Sequence, residues 1–95
     1  MTPPAVMLAC DQPATMRAVA AAFEEEGVPL MIIPATGYRE AATRSQLGIG
    51  IACIDGRIAL GLSTGPDIPY LIGDDARMIG HYAARLAARR PLGLA

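Results

Sequence analysis

The chain has 95 residues, with 8 basic and 9 acidic side chains and a formal net charge of -1. That balance argues against a grip on nucleic acid, which draws on a clustered basic excess, and against a polybasic membrane anchor. With 53% apolar and only 18% charged residues, the chain is expected to fold as one domain, residues 1–95, and its apolar runs are too short for a membrane span.

Ala5–Cys10 is a continuous apolar run of the kind found in strands buried on both faces. Asp11-Gln12-Pro13 follows, with a capping residue and a proline suited to a first helical turn. From Ala14 to Glu26, Met16, Val19, Ala20 and Phe23 recur at three- and four-residue steps and make the apolar stripe of a helix. Gly27 stops that helix and Pro29 forbids its continuation. Leu30–Ile33 reads as a second buried strand, and Tyr38–Gln46 as a short second helix with Tyr38, Ala41, Ala42 and Arg44 on its inner edge.

Leu47–Ile54 and Arg57–Leu62 read as two further strands joined by Asp55-Gly56. Asp-Gly between apolar runs is a hairpin signal, since both residues tolerate positive φ, so the fourth strand is expected antiparallel to the third. Ile68–Ile72 reads as a fifth strand, placed at an edge or strand start by Pro69. Gly73-Asp74-Asp75 caps a last helix from Ala76 to about Arg90, with Met78, Ile79, Tyr82, Ala83 and Leu86 as its apolar stripe and Pro91 as its end. Alternation of this kind predicts an α/β fold, a three-layer α/β/α arrangement around a five-stranded, mostly parallel sheet whose fourth strand is antiparallel.

All eight basic residues are Arg, and the composition is rich in Ala. A domain this small normally carries more charge, so either Ala inflates the apolar fraction or a partner covers apolar surface. Cys10 and Cys53 each sit inside an apolar run and are expected to be buried small hydrophobes. Their spacing fits no zinc pattern. The first residues lack the basic region of a signal peptide, which points to the cytoplasm, where a disulfide is disfavoured.

Signals for catalysis are weak. His81 is the only histidine and lies on the last helix between Arg77 and Arg85 at four-residue steps. It is read as part of a solvated face opposite the apolar stripe. Arg77, Arg85, Arg89 and Arg90 are read the same way, as a stripe open to solvent or to an acidic partner. Ser63 and Thr64 lie beside Gly65 without a G-x-S-x-G elbow, and a Cys53–His81 pair combines two residues that each look structural. Gly48-Ile49-Gly50 opens a strand instead of joining a strand to a helix, so it is no dinucleotide fingerprint. Its glycines are expected to let another element pack closely over that strand.

Glu24-Glu25-Glu26 is the segment that local physics does not favour. It falls in the last turn of the first helix, at the negative end of the dipole, where each exposed carboxylate is unfavourable by roughly 0.3–1 kcal/mol. A solvated helix end that tolerates this cost is the simpler reading. The functional reading is a carboxylate presented to a hard divalent cation, with the remaining ligands supplied by a partner.

Three stretches carry a family likeness: Phe23-Glu24-Glu25-Glu26-Gly27-Val28-Pro29, Ser45–Cys53, and the terminal helix with Ala83-Ala84-Arg85-Leu86 and Arg90-Pro91-Leu92. Through them the chain resembles the small subunit of glycerol/diol dehydratase-reactivating factors, the dehydratase medium-subunit-like family, over residues 5 to 92. The resemblance implies a five-stranded α/β fold of anticodon-binding-domain-like topology and a non-enzymatic subunit without a cofactor of its own. Its partners would be a large, chaperone-like ATPase subunit and the large subunit of an adenosylcobalamin-dependent dehydratase. It would change places with the dehydratase's medium subunit, so that damaged cobalamin is released. The resemblance also implies that Glu25 completes a divalent-cation site, for Mg2+ or a similar ion, on the large subunit, with Glu24 and Glu26 beside it at the interface. A cytoplasmic location is expected, with association with a microcompartment left open. The alternative is a stand-alone small-molecule-binding domain whose cleft at the strands' carboxyl ends is lined by Asp11, Gly37 and Thr64.

Overall fold

β1 (Val6–Ala9) is buried at every position and forms the middle of the parallel half of the sheet. In the computed structural model, which describes residues 3–54 and 56–89, β1 pairs in parallel with both β2 (Leu30–Ile33) and β3 (Ile49–Ile54). β4 (Arg57–Leu62) returns antiparallel to β3, and β5 (Leu71–Gly73) pairs antiparallel with β4. The sheet order is β2-β1-β3-β4-β5, with β4 alone reversed. This is the mixed α/β sheet expected from the alternating pattern. Gly56 takes φ +79° in the β3–β4 turn, while its neighbour Asp55 lies outside the described residues, as do Arg90, Pro91 and Leu92.

Helices cover both faces. α1 (Pro13–Glu26) and α3 (Ala76–Ala88) pack on one face over Val6, Leu8, Ile51, Leu60, Phe23 and Ile79, all buried. α2 (Tyr38–Arg44) packs on the other over Met7, Ala9 and Ala52. The alternation along β1 divides its side chains between these two cores. Gly50 and Gly61 sit opposite each other on β3 and β4 beneath α2. A Cβ on Gly50 would overlap the backbone of Ala41 and Ala42, and one on Gly61 would overlap the Tyr38 ring, so the close packing expected over Gly50 is realised by α2.

Several expectations shift in detail. α1 begins at Pro13, and its N-cap is Gln12 without a side-chain cap, so Asp11 does not perform that role. Ala22, absent from the expected stripe, is buried with Val19 and Phe23, because the stripe is shared between the sheet and α3. α2 ends at Arg44, where buried Ser45 leaves the helix and donates its hydroxyl to the Ala5 carbonyl at 2.6 Å. β5 starts at Leu71, since the residues around Pro66 and Pro69 form a separate loop held by α2. Met78 is 46% exposed on α3, outside the core that Ile79 and Ala83 join.

The largest correction concerns the cysteines. Cys10 and Cys53 are joined in a disulfide, with their Cα atoms 5.4 Å apart. Ala9 and Ala52 are register partners on adjacent parallel strands, which sets the next residues, Cys10 and Cys53, side by side within bonding distance. Cys10 is buried as expected.

Candidate functional site

The acidic run occupies the last turn of α1. Gly27 follows in the left-handed region at φ +70°, and the amides of Gly27 and Val28 bond back to the carbonyls of Glu24 and Phe23 at 3.2 and 3.1 Å. This glycine-terminated cap fixes where the helix ends and hence where three successive carboxylates point. α1 and α3 approach closely because α3 carries Gly80 at the crossing, against Ala22 and Val19.

That close approach brings the polar face of α3 to the end of α1. Arg77 pairs with Glu25 Oε1, and His81 Nε2 lies 3.0 Å from Glu25 Oε2. His81 Nδ1 lies 2.9 Å from Glu26 Oε2, and Arg85 Nε donates to that same oxygen at 2.9 Å. Glu24 is exposed. The side chain of Glu26 is 11% exposed and that of Glu25 49%, so the network runs from a covered inner pair to an open outer one.

The expectation of a purely solvated face on α3 is therefore corrected for Arg77, His81 and Arg85. Arg77 and Arg85 answer the unfavourable charge at the end of α1 with guanidinium groups from another helix instead of from the same turn, and His81 sits between the two carboxylates. The signal that would have found them is the match in charge and four-residue spacing between Arg77, His81, Arg85 and the Glu25-Glu26 pair. Arg89 does not join this network among the described contacts and ends α3 in the left-handed region at φ +57°. Next to His81, Tyr82 has its phenol pushed above its ordinary value by hydrogen bonding with Tyr70, then by burial and repulsion from Tyr70.

The other candidates separate. Cys53 is held in the disulfide, which removes the thiol from a Cys53–His81 pair. Thr64 follows β4, whose reversal sets the end of that strand beside the start of β3, with the Ser63 amide bonded to the Gly48 carbonyl at 2.9 Å. Asp11 and Gly37 follow the carboxyl ends of β1 and β2. Asp11 and Thr64 therefore stand at opposite ends of the sheet and do not line one cleft, while Gly37 caps α2, whose Arg39 bonds to the Thr64 carbonyl at 3.4 Å. The structure forms open grooves elsewhere, one of about 290 Å3 between α1 and β2 lined by Pro13, Met16, Arg17, Ala20 and Ile32.

Among the described residues no group of three or more His, Cys, Asp or Glu side chains is placed to hold a metal. No helix among them is long and apolar enough to cross a membrane.

These features define a small three-layer α/β domain with a charged seam between its two same-face helices. No protein-family model matches the chain, and no curated protein sequence matches it. Solved structures do. A glycerol dehydratase reactivase chain superposes with a TM-score of 0.84 at 31% identity, covering 97% of this chain and 98% of that one. A chain from a structure of diol dehydratase-reactivating factor complexed with ADP and Mg2+ superposes with a TM-score of 0.77 at 28% identity, covering 96% and 98%. The chain belongs to the dehydratase-reactivase family, as a chain of its small-subunit type.

Proposed function

We propose that this chain is the non-catalytic small subunit of a chaperone-like reactivating factor for an adenosylcobalamin-dependent diol or glycerol dehydratase. The observation that supports this reading most is the end-to-end match to a glycerol dehydratase reactivase chain of nearly the same length. In this reading a large partner subunit carries the ATPase. The present chain takes the place of the dehydratase's medium subunit against the dehydratase large subunit, which loosens the enzyme and lets damaged cobalamin leave.

Glu25 is the residue we assign to the joint with the ATPase subunit. Its carboxylate is half-exposed at the end of a helix, and hard divalent cations such as Mg2+ take oxygen ligands of this kind. Among the described residues no group of three or more His, Cys, Asp or Glu side chains surrounds it, so in this reading the remaining ligands come from the partner. The cation would supply charge neutralisation between the two subunits. Glu25 would give it a carboxylate oxygen, while Arg77 holds the other oxygen and α3 fixes the helix end. Glu24 and Glu26 flank the joint, Glu24 exposed toward the partner and Glu26 turned inward to α3.

The test is reconstitution. A dehydratase carrying inactivated cobalamin is mixed with fresh adenosylcobalamin, ATP, Mg2+ and the large subunit, with or without this chain. Recovery of activity only when both subunits are present is the expected result. Full recovery with the large subunit alone would contradict the proposal.

A further inference from the structure

We infer that the free edge of β2 takes up an extended segment of another protein chain, apolar in its middle and acidic at its ends, which adds to the sheet as a further strand. The surface involved is β2 with the first half of α1 on one face and α2 on the other. It does not use the acidic run in the last turn of α1, so the inference is independent of the role given to Glu25.

β2 is an outer strand, paired on one side only, with β1. Val6 stands opposite Leu30, and its amide donates to the Pro29 carbonyl at 3.2 Å. Main-chain groups alternate in direction along a parallel ladder. Residues 29, 31 and 33 therefore face β1, while Leu30 and Ile32 turn their N–H and C=O groups outward. No proline, charge or bulge interrupts Leu30–Ile33, and these are the devices that normally blunt an edge. The opposite edge, β5, is blunted: it is three residues long and follows Pro66 and Pro69.

Each face of the β2 edge carries an exposed apolar side chain at a groove. Ile32, 49% exposed, lines the groove of about 290 Å3 with Met16 and Ala20 of α1. Met31, 42% exposed, lines one of about 190 Å3 on the α2 face with Ala5 and Met7. An added strand sends successive side chains to opposite faces, so consecutive apolar residues fill both grooves at once. Main-chain bonds at Leu30 and Ile32 supply affinity, and the grooves supply selectivity.

Charge decides the occupant. Arg17 stands at the first groove, exposed and without an ion-pair partner among the described residues. Arg44 stands at the second, half-exposed, with only a surface pair to Glu40. No acidic side chain among the described residues lines either groove. A second copy paired edge to edge about a two-fold axis would set Arg17 against Arg17 and Arg44 against Arg44, which is repulsive on both faces. A segment with acidic ends meets a guanidinium on each face instead.

The probe is a synthetic peptide, acetyl-Glu-Glu-Val-Ile-Val-Ile-Glu-Glu-amide, titrated into the 15N-labelled full chain and followed by NMR. We expect saturable binding in which the amides of Leu30 and Ile32 gain protection from hydrogen exchange, while those of Met31 and Ile33, already turned to β1, keep theirs. Arg17→Glu should weaken binding about fivefold, and a peptide with Lys in place of Glu should bind the parent about fivefold more weakly. Ile32→Lys should abolish binding with the fold retained, since it places a charge on the edge at a half-exposed position. Leu30 and Ile32 amides left unprotected at millimolar peptide, or a Lys peptide that binds as well as the Glu peptide, would overturn the inference. So would protection of these amides in the free chain that grows with protein concentration alongside a dimer in sedimentation, which would give the edge to a second copy.

Discussion

A Cβ on Gly80 would stand 2.9 Å from the Cβ of Ala22, closer than methyl groups pack, so α3 crosses α1 almost backbone to backbone. The crossing explains how Arg77, His81 and Arg85 reach the last turn of α1. Larger residues at this point would hold the helices apart and leave Glu25 and Glu26 with the unfavourable end of a helix dipole. Gly80→Val is expected to cost about 1–3 kcal/mol from overpacking, read as a lower urea midpoint. It should also part the His81 ring from the carboxylates. A variant as stable as the parent would mean that the crossing is not closely set.

The disulfide makes a second prediction. It closes a separation of 43 residues between β1 and β3, which in the chain-entropy account is worth up to about 4 kcal/mol. Oxidised protein should have a mass lower by two hydrogens and unfold at a higher urea concentration than protein treated with reductant. Cys53→Ser should match the reduced parent. Equal midpoints with and without reductant would show that the bond adds nothing to the fold.

Arg39 in α2 anchors the loop between β4 and β5. Its Nη1 donates to the carbonyls of Leu62, Thr64 and Pro66 at 3.2, 3.4 and 3.2 Å, and its Nη2 to Gly65 at 3.0 Å. Arg39→Ala should lower stability by about 1 kcal/mol, because the carbonyls are partly solvated and water replaces part of what is lost. It should speed hydrogen exchange at the amides of Ile68 and Tyr70, whose bonds to Pro66 and Leu60 hold this loop. Arg39→Lys should rescue little, since a single ammonium cannot fork to several carbonyls. Unchanged exchange in the alanine variant would contradict this role.

The order of strands and helices was legible because each signal is local. Alternating burial types, Gly27 after α1 and Asp75 before α3 lie within a few residues of what they control; Asp75 accepts the Met78 amide at 3.0 Å. The Cys10–Cys53 bond was not legible, because it depends on strand order and register, which no short segment encodes. The α3 side of the candidate site was hidden for a similar reason. Arg77 and His81 look like a solvated face until the fold brings them to acids more than fifty residues earlier. The Glu24-Glu25-Glu26 run is visible in the sequence, because carboxylates at a helix C-terminus oppose the local electrostatics and so call for a compensating charge from elsewhere, while the choice of Glu25 within it comes from the family resemblance alone.

The most direct measurement of the central claim is assembly. Tagged chain is used to capture the large ATPase subunit of a reactivase in the presence of Mg2+, then again with EDTA and with Glu25→Ala. The account predicts a stable complex with the parent chain that is weakened by either change. No complex at any divalent-ion concentration would contradict it.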